Sequence, residues 1–143
     1  MDSKYFPLFI EVLDLVESNL RTREVAINRV NEITKEHYWF PSVFRALTTM
    51  SIEEYAMARA ISESAMVLLD TDLTVTDIAK EYNFLSQQTY SAMFAQVLGM
   101  PPHIFKVEKP MDKLIPPYKL DMHIFEERDT KKVYIEELPD MKV

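Results

Sequence analysis

The sequence predicts a mainly α-helical domain of about seven helices arranged around one long central helix, followed by a Pro-rich linker and a candidate β-hairpin. Three observations carry that reading. Apolar residues recur at three- and four-residue steps from Tyr5 to about Val107, the spacing that lines one face of an α-helix. Only one glycine, Gly99, stands in 143 residues, so most turns must be made by polar caps and prolines. Beyond Lys109 the texture changes, first to spaced prolines and then to β-branched and aromatic runs. The division is therefore 1–109 for the helical domain, 110–121 for the linker, and 122–143 for a hairpin or the truncated start of a further domain. At 48% hydrophobic and 27% charged, the chain has enough apolar sequence to bury a core.

The elements follow in order. Phe6, Phe9, Ile10, Leu13, Val16 and Leu20 form one apolar stripe, which predicts a first helix packed as a lid. Val25, Ile27, Val30 and Ile33 give a second, weaker pattern over Arg23 to Thr34, interrupted by charge. Phe40, Val43, Phe44 and Leu47 predict a third helix starting near Phe40, because Pro41 is tolerated best in a first turn. Trp39 and Phe40 read as core residues. Ser51 and Glu54 form a capping box, with Met50 and Tyr55 as the staple, and open a helix of about five turns reaching Asp70. Thr74 with Asp77 repeats the box, and Leu73 against Ile78 repeats the staple. Ser86 caps the next helix, with Leu85 placed to staple onto Tyr90, and Gly99, Pro101 and Pro102 end it. A last short helix holds His103 to Val107. Pro110, Pro116 and Pro117 mark an extended linker, and Met122 to Phe125 with Val133 to Ile135 read as strands around a turn at Asp129 to Lys131.

Composition also excludes. Without cysteine there is no disulfide framework, thiolate zinc site or cysteine nucleophile, and a cytoplasmic address fits best. The N-terminus lacks a basic leader with an apolar run, and no window offers about 18 uncharged apolar residues, so neither secretion nor a membrane partner is expected. His37, His103 and His123 lack the short spacing of a zinc site. No glycine-rich phosphate loop or nucleophile elbow exists, so the chain reads as neither an enzyme nor a cofactor protein.

Leu73 to Phe105 is the best-defined local unit: a short helix, a tight Asn83-Phe84-Leu85 connection, and a Ser-capped helix. That order is a helix-turn-helix, whose second helix inserts its first turns in the major groove of DNA. Here those turns carry Ser86, Gln87, Gln88, Thr89 and Ser91. Gln pairs with the N6 and N7 edge of adenine, hydroxyls reach base edges or phosphates, and the helix N-terminus attracts phosphate oxygens.

Ile78-Ala79, Asn83-Phe84, Ser86-Gln87-Gln88-Thr89, Phe94, Leu98-Gly99 and Pro101 to Phe105 closely resemble the second helix-turn-helix of the AraC/XylS transcription regulators. Upstream, Ile52, Tyr55, Arg59, Ala65 and Leu68-Leu69 resemble that family's linker helix, and Phe44-Arg45 the end of its first recognition helix. The resemblance implies two helix-turn-helix units joined by one long helix, each reading a major-groove segment of double-stranded DNA. It implies base contacts from Gln87, Gln88 and Thr89 and phosphate clamps from Arg45, Arg59 and Lys106. An active first unit would present Tyr38, Ser42 and Arg45. The chain departs from the family where Ala92 and Ala95 replace common cations, where Asn83 and Thr34 replace turn glycines, and where Pro41 and Ser42 replace polar or basic residues. Lys132 to Val143 resembles the first strand of a GyrI-like effector-binding domain, and the chain stops where that domain would continue.

Charge supports a second reading. The net charge is −7 and the pI about 5.0, and residues 1–110 hold ten basic against fifteen acidic side chains. Candidate phosphate contacts reduce to Arg21, Arg23, Arg29, Lys35, Arg45, Arg59, Lys80, Lys106 and Lys109. The first reading is therefore a sequence-specific DNA-binding regulator with weak, salt-sensitive binding. The alternative is a degenerate acidic family member that keeps the fold and engages a protein partner.

Overall fold

The computed structural model describes residues 6–119 as seven α-helices. They are α1 (Phe6–Ser18), α2 (Arg23–Thr34), α3 (Phe40–Thr48), α4 (Ile52–Asp70), α5 (Val75–Glu81), α6 (Gln87–Leu98) and α7 (Pro102–Glu108). Short 3₁₀ turns at Leu20–Thr22 and Met111–Lys113 complete the described residues, which contain no strand. The expected hairpin over 122–143, with its likeness to an effector domain, lies outside them.

α4 is the axis. Its start is the expected capping box: Ser51 Oγ accepts from the Glu54 amide at 3.0 Å and Glu54 Oε1 accepts from the Ser51 amide at 2.8 Å. The hydrogen bond from the Ser51 amide holds the Glu54 carboxyl below its usual range. Along α4, Ile52, Tyr55, Ala56, Ala58, Ala60, Ile61, Ala65 and Leu68 are buried, so the helix is enclosed on most of its circumference. α1, α2, α3, α5, α6 and α7 all pack on it.

On one side Phe9 of α1 stacks on Phe44 of α3 at 5.4 Å, and Phe44 meets Tyr55 edge-on at 5.7 Å. Phe40 is fully buried, as its spacing predicts, while Trp39 is half-buried against it. The inward face of α1 is Phe6, Phe9, Val12 and Val16; Leu13 is partly buried against the core beside them, and Ile10 is exposed. Leu20 remains core, but within the 3₁₀ turn. α1 thus belongs to the core and is more than a lid.

Two turns differ from expectation. Thr34 stands where the family has a turn glycine, yet it is a buried helical residue whose Oγ1 donates to Val30 O at 2.7 Å. The α2 to α3 connection closes instead through His37 N to Thr34 O and Phe40 N to His37 O, each 2.8 Å, without positive φ. At the other turn Leu85 does not staple Tyr90, because Leu85 is 97% exposed while Phe84 packs edge-on to Tyr90 at 5.2 Å. The staple has moved one residue toward the N-terminus.

The Pro-rich segment runs against the helical body. Ile115 N donates to Ser62 Oγ at 2.8 Å, Tyr118 N to Tyr55 Oη at 2.8 Å, and the Tyr118 ring lies 6.1 Å from Phe9. The described part of the expected extended linker, residues 110–119, is therefore docked as a strap across α1 and α4.

Thr49 caps α3 at φ 67, a left-handed conformation that a β-branched residue rarely adopts. Thr49→Asn should raise stability by up to about 1 kcal/mol in urea melts. Burial pushes the Tyr90 phenol up to about 12 and raises Tyr82, whose hydrogen bond to Glu63 adds to the shift. Because the folded state retains both protons, stability is full below the ordinary tyrosine value of 10.0 and falls as pH rises above it. Thermal melts stepped from pH 9 to pH 12, with tyrosinate absorbance followed in parallel, should show the loss beginning near 10.

Candidate nucleic-acid interface

The second helix-turn-helix is α5 and α6. Thr74 and Asp77 close their capping box at 3.0 and 3.2 Å, and the hydrogen bond from the Thr74 amide keeps the Asp77 carboxyl below its usual range. The turn depends on Asn83 at φ 60, a conformation Asn tolerates, so the usual glycine is dispensable here. Asn83 N donates to Lys80 O at 3.0 Å and Phe84 N to Ala79 O at 2.9 Å. Ser86 then caps α6: its Oγ accepts from the Thr89 amide at 3.1 Å and lies 3.0 Å from Thr89 Oγ1.

α6 is anchored along one face. Tyr90, Phe94 and Leu98, each four residues apart, are buried. Tyr90 Oη lies 2.7 Å from Ser64 Oγ of α4, and edge-on aromatic contacts run from Phe84 through Tyr90 and Phe94 to Phe105 of α7. The opposite face exposes Gln87, Gln88, Thr89, Ala92 and Gln96, with Ser91 and Ala95 half-buried beside them. No charged residue occurs in α6. Among the expected contacts, Ser86 and Thr89 use hydroxyls in the cap, and Gln87 Oε1 accepts from Thr76 Oγ1 at 2.8 Å. Among the described residues no hydrogen bond engages the Gln88 or Ser91 side chain.

In the first unit, α2 and α3, Tyr38 is 91% exposed, and Ser42 and Arg45 are exposed on α3. Arg45 Nη1 lies 3.5 Å from Glu54 Oε1, both side chains largely in solvent, so the pair is weak and separable. Lys106 is exposed on α7.

Arg59 requires a correction. Expected as a phosphate clamp, it is buried on α4. Its Nε donates to Glu17 Oε1 at 3.0 Å, its Nη2 to Glu17 Oε2, and its Nη1 to Ile115 O at 2.7 Å. Burial opposes its charge, but the Glu17 hydrogen bond and charge outweigh that and raise its pKa. With 9% of the side chain exposed, the fork has no edge for a phosphate.

Two further candidate cations are also engaged internally. Arg21 lies 3.3 Å from Glu81 and over the Tyr82 ring, and its backbone oxygen accepts from Asn83 Nδ2. Arg23 Nη1 donates to Leu20 O and Tyr82 O, both at 3.0 Å, and its guanidinium covers the Phe84 ring; burial lowers its pKa. These arginines join the 3₁₀ turn after α1 to the turn of the second unit. The sequence did not indicate that role, because both partners lie about 60 residues away. Lys35 faces Glu32 in an exposed pair. No ion pair among the described residues engages Arg29, Lys80, Lys106 or Lys109. No group of three metal-ligating side chains occurs among the described residues, and none of their helices is long and apolar enough to cross a membrane.

Residues 39–106 match the model of a helix-turn-helix domain. The chain is 34% identical over 98 residues to the HTH-type transcriptional activator AarP of Providencia stuartii, covering 68% of this chain and 72% of AarP. The chain belongs to the AraC/XylS family of helix-turn-helix transcription regulators. It is 28% identical over 97 residues to the multiple antibiotic resistance protein MarA of Salmonella typhimurium, covering 67% of this chain and 76% of MarA. It is 26% identical over 99 residues to the Tn10 TetD protein of Escherichia coli, covering 69% and 72%. No solved structure matches. The family is one of sequence-specific DNA-binding transcription regulators, and the protein is one of them; the protein-interaction alternative drawn from charge is not favoured.

Removing the α4 guanidinium tests its structural role. Arg59→Ala should lower stability by about 1–3 kcal/mol, between the limits for exposed and buried pairs, since Glu17 keeps about a third of its side chain in solvent. DNA affinity of the folded fraction should keep its salt slope, and a slope reduced by about one would restore Arg59 as a phosphate contact.

Proposed function

We propose that α6 is the principal base-reading element of this regulator, with Gln88 pairing with a base edge and Gln87, Thr89 and Ser91 beside it. One observation carries the proposal: α6 is fixed to α4 and α7 along its Tyr90, Phe94 and Leu98 face, while its opposite face is polar, uncharged and open. A rigid helix presenting free amide and hydroxyl groups meets the requirement for major-groove readout. The N-terminus of α6 adds the attraction of its open amides for a phosphate oxygen. Tyr38, Ser42 and Arg45 form the second contact line, from α3. Lys106 and Arg45 clamp phosphates, with Arg29, Lys80 and Lys109 as further cations. The protein acts in the cytoplasm on double-stranded DNA.

The acidic balance sets the energetics. With the five cations named above, the slope of log K against log salt should not exceed about −4.5 in magnitude, since each phosphate neutralised contributes roughly −0.9. Affinity therefore rests heavily on base contacts.

Fluorescence anisotropy of labelled genomic duplex fragments, titrated at about 50 and 200 mM salt, tests both points. Saturable binding that weakens by no more than a few hundredfold between these salts is expected, and no binding at the lower salt by folded protein overturns the reading. At a bound site, Gln88→Ala should lose about 1–3 kcal/mol, and unchanged affinity removes Gln88 from the base-reading set.

A further inference from the structure

The two glutamines that open α6 are equivalent in sequence but not in the structure. Among the described residues nothing bonds the Gln88 amide, whereas Gln87 is tied across the turn to α5, its Oε1 accepting from Thr76 Oγ1 at 2.8 Å. We propose that Thr76 is a specificity-positioning residue, holding the Gln87 amide so that it faces DNA chiefly as a hydrogen-bond donor. The inference rests on the role of α6 in base reading given above.

A glutamine grips adenine by two bonds at once, accepting from N6–H₂ through Oε1 and donating to N7 through Nε2. Both atoms must lie along the same base edge. With one lone pair of Oε1 taken by Thr76, Gln87 is biased toward offering Nε2–H₂ to the groove. That group matches a base edge made of acceptors, thymine O4 or guanine O6 and N7. At adenine it would leave N6–H₂ unpaired, and at cytosine it would meet another donor. Gln87 therefore favours keto bases, and Gln88, unrestrained, favours adenine. Thr76 needs no contact with DNA for this effect, because it acts through the orientation of Gln87.

Thr76 suits such a role. It lies in the first turn of α5, which is anchored by buried Ile78 and Ala79, so the hydroxyl is held on a fixed backbone. Its side chain is exposed, and Thr76→Val removes the hydroxyl at nearly constant volume without disturbing the core.

The test is selection of bound duplexes from a pool with a randomised site, using the full chain as wild type, Gln87→Ala, Thr76→Val and Thr76→Ser. The base position read by Gln87 is the one whose preference disappears in Gln87→Ala. There the wild type should prefer thymine or guanine over cytosine by about tenfold, a discrimination of the size one good contact provides. Thr76→Val should release the amide and raise adenine at that position at least several-fold, with overall affinity nearly unchanged, while Thr76→Ser should restore the wild-type profile. A Thr76→Val profile identical to wild type overturns this inference alone, as does a Gln87→Ala profile that changes at no position. A wild-type pool that enriches no sequence overturns the base-reading role of α6 and this inference with it.

Discussion

The enclosure of α4 is the constraint on which the remaining structure depends. A helix buried around most of its circumference must offer small side chains where neighbours approach, and α4 does so with Ala56, Ala58, Ala60, Ser62, Ser64 and Ala65. Helices of both helix-turn-helix units rest on it, so their separation and relative rotation are properties of one rigid element. Its polar residues extend the same function. Ser64 meets Tyr90 of α6, Ser62 receives the Ile115 amide, and Arg59 joins Glu17 of α1 to the strap. Each satisfies a polar group that would be costly to leave buried and unpaired, and each specifies which segment packs there.

The arginines explain how an acidic chain adopts a DNA-binding architecture. Arg21, Arg23 and Arg59 hold the N-terminal segment to the second unit and to the strap; Arg59 is enclosed and Arg23 half-buried, so neither presents an open guanidinium to a phosphate, while Arg21 keeps about half of its side chain in solvent. What the fold leaves at α6 is an uncharged surface, neither a cationic stripe nor a negative face. Such a surface has little general attraction for DNA, yet it avoids the repulsion that the net charge alone suggests. Recognition then depends on hydrogen-bond complementarity, for which the fixed orientation of α6 matters more than the number of positive charges.

Helix boundaries and the twofold division of the domain were legible in the sequence because local chemistry determines them. Ser51 with Glu54, Thr74 with Asp77, and Ser86 each satisfy orphan amides within four residues, and Gly99 at φ 85 ends α6 by a backbone preference of its own. Asn83 could be assigned to a left-handed turn for the same reason. The outward set on α6 also followed from periodicity, since Tyr90, Phe94 and Leu98 occupy one face and Gln88 and Ala92 the other.

Contacts between distant segments were not legible, because nothing local distinguishes a free arginine from one that will meet a carboxylate 42 residues away. Arg59 reads as a surface cation on an alanine-rich helix, and only the approach of Glu17 and Ile115 shows it to be internal. Phe84 and Leu85 are equally apolar, and the geometry of the turn alone decides which one packs on Tyr90. Gln87 and Gln88 are the same residue twice, separated in role by a hydroxyl on another helix. Caps and helical period set where the helices start and stop and which face of α6 is polar, and both are local properties of the chain. The tertiary structure decided which polar groups are already satisfied, and so which remain for a ligand, because that depends on partners brought together only by the packing around α4.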